Sequence, residues 1–168
     1  MRFSQRSCLL AAFALMLSFG SPAAAHSFKL GSITIDHPAA PASLPGQASA
    51  VVHLTIENMG TKADRLIKLA SPIAENVMIH HMTTSGSIMK MREIDSLSIQ
   101  PSAKIAMTRG NAYHVMMTGI KHPLVSGDRV PLVLTFEHAG ALEVVINVER
   151  SAAEKASGAE SNSGAHQH

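Results

Sequence analysis

The stretch AVVHLTIEN, residues 50–58, is short and rich in β-branched side chains, and the turn signal NMGT closes it. Runs of the same kind fill the chain on both sides: SITI (32–35), DRLIKLA (64–70), NVMIHHM (76–82), IMKMREI (88–94), KIAMT (104–108), AYHVMMTGI (112–120), VPLVLTFEH (130–138) and LEVVINVE (142–149). The turns TSGS, RGN, VSGD and HAG separate them. Helical i, i+3, i+4 patterns are weak after residue 25. Strands of this length and spacing predict an all-β fold, an antiparallel β-sandwich or barrel.

The ends read differently. Residues 1–25 carry Arg2 and Arg6, an apolar run from Leu9 to Phe19, and small residues at Ala23 and Ala25. This is the pattern of a secretory signal peptide cleaved after Ala25, and it is too short and wrongly flanked for a membrane span. The segment from Arg150, RSAAEKASGAESNSGAHQH, is small, polar and rich in Ser, Gly and Ala, so residues 151–168 are expected to form a disordered tail. Between the ends lies one domain of about 125 residues, 26–150, large enough to fold without staples.

Cleavage would alter the chemical inventory. Cys8, the one cysteine, would leave with the signal, and it sits too early to take a lipid. The mature chain would have no thiol. The 14 basic residues would fall by two, to match the 12 acidic ones. A balance near zero gives no reason to expect nucleic acid or an anionic membrane as a partner. All 10 histidines would remain, with every methionine except Met1 and Met16.

Those residues are concentrated. HHMTTSGSIMKM, residues 80–91, holds two histidines and three methionines. In an extended chain Met78, His80 and Met82 share one face while His81 takes the other, and Met89 and Met91 share a face. In YHVMM (113–117), His114 and Met116 share a face and Met117 points away. Two residues apart on a strand is roughly 7 Å at the backbone, so an imidazole and a flexible thioether can converge on one ion. Neutral thioether and imidazole donors suit Cu(I). Mg²⁺ and Ca²⁺ want carboxylates, and structural zinc wants thiolates or more histidines.

Packing accounts for other members of the set. Methionine is an ordinary core filler, and Met59, Met78, Met107 and Met117 are read that way. His37, His53, His122 and His138 are read as structural or exposed.

The His80/Met91 and His114/Met116 pairs also carry a resemblance. The chain resembles the PCuAC family of periplasmic copper chaperones, whose signature is a His, ten residues, a Met, about twenty-one residues and His-x-Met. Here residues 81–90 separate His80 from Met91, and HVM supplies His114 and Met116. Residues 92–113 separate Met91 from His114, one more than the usual spacing, and the extra residue is expected in the turn around RGNA. HSFKLGSITIDHPAAPAS is similar to the family's opening, with Ala39 where a Trp is common. The other strand segments follow the family's order.

The resemblance implies a cupredoxin-like β-sandwich with His80, Met91, His114 and Met116 as copper ligands. It implies a monomeric periplasmic protein, not an enzyme, that holds Cu(I). Delivery would go to the copper centre of cytochrome c oxidase, at subunit II, directly or with a Sco-type thiol protein. His81 would replace His80 if a bulge inverted the strand, and Met82 and Met89 are alternate donors. His26, with a free α-amine after cleavage, and His166 and His168 in the tail are candidate Cu(II) donors at the termini. A copper storage or detoxification protein would use the same ligands, whereas a secreted β-sandwich binding module would use none. No G-x-S-x-G or Ser/His/Asp arrangement supports a hydrolase.

Overall fold

The computed structural model describes residues 27–151 apart from Ser87, and the backbone only of Ser85. The expected signal peptide (1–25), His26, and His166 and His168 of the expected tail lie outside the described residues. No helix among the described residues is long and apolar enough to cross a membrane.

The described residues form eleven strands: β1 (Ser27–Leu30), β2 (Ile33–Pro41), β3 (Ser49–Asn58), β4 (Asp64–Ala70), β5 (Asn76–Ser85), β6 (Ile88–Ile94), β7 (Leu97–Ile99), β8 (Lys104–Met107), β9 (Tyr113–Thr118), β10 (Arg129–Phe136) and β11 (Gly140–Glu149). They run β6-β5-β9-β3-β2-β11-β10-β4-β7, with β1 added to β2 and β8 to β3. β3 joins the two layers. Its first half, Ser49–Val52, pairs with β9, and its second half, Leu54–Glu57, pairs with β8. The switch between partners falls at His53.

Burial follows the period of two. Along β3 the residues alternate, with Val52, Leu54 and Ile56 inside. Ile79 of β5 and Val115 and Met117 of β9 face the same interior, where they meet Leu132, Leu134 and Phe136 of β10 and Val144 and Ile146 of β11. Each such side chain contributes about 1.5–3 kcal/mol by leaving water. The sandwich is the means by which each sheet covers its apolar face.

Several elements differ from the sequence expectation. β2 runs to Pro41, well past SITI, because a register shift between Asp36 and Ala39 absorbs Pro38. His37 stands at φ 50 in this irregularity. β1 and β7 are additional strands, too short for an alternation to show. The pairing is antiparallel except at one place, where Asn147–Glu149 of β11 runs parallel to Ala39–Pro41 of β2. Met59 is not packed: it is 64% exposed in the turn after β3, in contrast to Met107 and Met117, which are fully buried.

Candidate functional site

The site forms on the outer face of the β6-β5-β9-β3 layer, the face opposite Val52, Ile79, Val115 and Met117. β5 and β9 pair without a shift from Asn76↔Thr118 to His81↔Tyr113, so His80 lies directly opposite His114. Such neighbours have Cβ atoms about 4.5–5.5 Å apart. β5 and β6 also pair without a shift, placing Met91 opposite Met82 and diagonal to His80. Met116 follows His114 by two on the same face, opposite both Met78 and Val51. Residues 108–112, which hold the RGNA turn, lie outside the strands and lead into β9.

Side-chain geometry strengthens this grouping. His80 Nδ1 lies 3.0 Å from Met91 Sδ, so a borderline and a soft donor atom are in hydrogen-bond contact. His114 is 8% exposed, and its Nδ1 is buried with no hydrogen-bond partner. A buried ring nitrogen without a partner is costly in a finished core. It suits a donor that completes its valence on an ion. Both observations fit a site for a soft metal ion.

His80, Met91, His114 and Met116 all line one cleft of about 290 Å³, with Met82, Val51, His53, Pro41, Gln47 and Arg109. No Asp or Glu among the described residues lines it. Among the described residues no three His, Cys, Asp or Glu side chains group so as to hold an ion. A metal site here would depend on the thioethers, which suit a soft ion and not a hard cation.

The structure separates the secondary candidates. Met82 reaches the cleft. His81 does not: no bulge interrupts β5, and its ring stacks on Tyr113 with centroids 4.8 Å apart. Met89 pairs with Thr84, is 69% exposed and lies outside the cleft.

His53 is the residue that sequence reasoning passed over. Extending the β3–β9 register by one step sets it beside His114, so imidazoles stand on three neighbouring strands. Burial, followed by the charges of His114 and Arg109, lowers its pKa from the ordinary value against an upward pull from Glu149. Strand alternation placed His53 opposite Val52 and Leu54; the missing signal was which strand lies alongside.

Comparisons with known proteins agree with this architecture. The model of the LpqE-like lipoprotein family matches residues 33–148. No curated protein sequence matches. Among solved structures, the copper-bound PCuAC domain from PmoF2 superposes with a TM-score of 0.64 at 26% identity, covering 74% of this chain and 98% of that one. The apo form of the same domain gives 0.65 at 26% identity, with 77% and 98% covered. The solution structure of CuI-DR1885 from Deinococcus radiodurans gives 0.58 at 24% identity, with 77% and 85% covered, and supports the fold alone. The chain belongs to the LpqE-like family and folds as a PCuAC-type, cupredoxin-like β-sandwich.

Proposed function

We propose that this protein is a periplasmic copper chaperone that binds Cu(I) through His80, Met91, His114 and Met116. The observation that carries the reading is the contact of His80 Nδ1 with Met91 Sδ in the cleft that also holds the unpartnered Nδ1 of His114. Two imidazoles and two thioethers are neutral and stabilise the monovalent ion. Met91 is half exposed, so one donor can leave while an acceptor's donor arrives. Stepwise exchange of this kind lets a carrier hold copper tightly and still release it. No catalytic step is required, and the copper-bound state of the PmoF2 domain supports the cargo.

The acceptor we propose is the copper centre of cytochrome c oxidase, on subunit II, reached directly or with a Sco-type thiol protein. The export pattern of residues 1–25 supports the compartment. The test is a deletion strain grown at limiting copper, scored for oxidase activity and for copper tolerance. Delivery predicts that oxidase activity falls and returns with added copper while tolerance is unchanged. Lost tolerance with normal oxidase activity would instead establish storage or detoxification.

A further inference from the structure

Gln47, His53 and Arg109 line the same cleft and are not among the four proposed ligands. Gln47 lies in the segment between β2 and β3, His53 at the partner switch of β3, and Arg109 in the turn between β8 and β9. Arg109 is exposed, and no ion pair is formed with it among the described residues, whose salt bridges are Arg65–Glu137 and Lys104–Glu57. The acid that His53 senses is Glu149, which does not line the cleft. A guanidinium stays charged at every working pH. A neutral donor set holding Cu(I) adds a second positive charge in the same cleft, and no described carboxylate lines it.

A permanent cation beside a cation site does not favour holding the ion. It is arranged to favour an anion arriving at it. We propose that Arg109, with Gln47 and His53 beside it, forms an anion-receiving subsite on the cleft rim that guides the thiolate of a copper acceptor onto the bound ion. This rests on the Cu(I) reading above. Arg109 is a positioning residue here and not a ligand. In the exchange a Cu–S bond to the thiolate forms as a Cu–thioether bond breaks; the thiol proton has already passed to water, and copper stays monovalent throughout. The field of Arg109 draws in the anion and stabilises the state in which both sulfurs touch the ion.

The test loads the mature chain with one Cu(I) and follows anaerobic copper removal by stopped flow, with glutathione, whose reacting thiolate carries two net negative charges, and dithiothreitol, whose reacting thiolate carries one. Arg109→Gln is expected to slow removal by glutathione about fivefold relative to removal by dithiothreitol, with Arg109→Lys close to wild type. Raising the salt concentration should shrink the wild-type preference and leave Arg109→Gln unaffected. Comparing the two thiols matters because loss of a positive charge also tightens Cu(I) binding, which would slow both equally. An unchanged glutathione-to-dithiothreitol ratio in Arg109→Gln would overturn the subsite while leaving the copper site standing. Failure of the wild-type chain to load at all would overturn both, and is seen before any thiol is added.

Discussion

His80 and His81 are adjacent and chemically identical, and the pleat of β5 sends them to opposite faces. His80 meets Met91 and lies opposite His114; His81 stacks on Tyr113. Replacing His80 by Ala should weaken Cu(I) binding by at least an order of magnitude, since it removes a donor from a four-donor set. Replacing His81 by Ala should leave Cu(I) affinity near wild type and lower stability by about 0.5–1.5 kcal/mol through the lost ring contact. Parallel chelator competition and urea unfolding of the two variants check this; a larger copper loss in the His81 variant would mean that β5 is inverted in solution. At this scale the sequence was informative about pairs two apart. It could not show that His53, far away in the chain, belongs to the same cleft, nor that Gln47 and Arg109 close it, because those positions depend on which strands become neighbours.

At the scale of elements, regular pairing holds the donors in place, and one buried carboxylate holds the far end of the sandwich. Asp64, on β4, accepts the backbone N–H groups of Arg65 and His138 at Oδ1, at 2.7 and 3.0 Å, and that of Ala139 at Oδ2, at 2.9 Å. It thereby fixes the turn between β10 and β11, where Gly140 takes φ 94. Burial alone would raise the Asp64 pKa, but the three donors and the nearby His138 outweigh it and hold the group below its ordinary value. The unfolded chain therefore takes up this proton first as the solution is acidified. The stabilisation is complete above the unfolded carboxyl value and is lost as the pH falls below about 4 toward the folded value. Asp64→Ala should cost about 1–3 kcal/mol at pH 7 by leaving three N–H groups without their acceptor. It should also flatten the acid limb of stability against pH, which urea titrations between pH 7 and pH 3 would measure. An equal acid limb in both proteins would assign it to other carboxylates. β4 and β6 were read from the sequence at the bounds they hold, since Gly, Pro, Asn and Ser turns bracket them. β2 was read only as SITI; its continuation past Pro38 depends on the bulge and on the edge with β11, which are long-range features.

For the whole molecule, the copper cleft and the tail are separable in the proposed function. The four proposed ligands lie on β5, β6 and β9, and none lies in residues 151–168. A chain ending at residue 150 should keep wild-type Cu(I) affinity and bind less Cu(II), because His166 and His168 are gone; Cu(II) titration by visible absorption or EPR checks the second half. Unchanged Cu(II) uptake would remove the tail from the account. The sandwich was legible in the spacing of strands and turns, since burying alternate faces leaves few architectures open. The joining of the two layers through β3 and the parallel contact of β11 with β2 were not, because both are long-range pairings with no local signature.

The most direct measurement is an anaerobic Cu(I) competition titration of residues 26–168 against a chromophoric chelator, beside the Met91→Ala/His114→Ala double variant. A His/Met copper site predicts one tight equivalent in the wild-type chain that disappears in the variant, while the far-UV circular dichroism of the two stays the same. Absence of tight Cu(I) in the wild type, or equal binding in the two proteins, would contradict it.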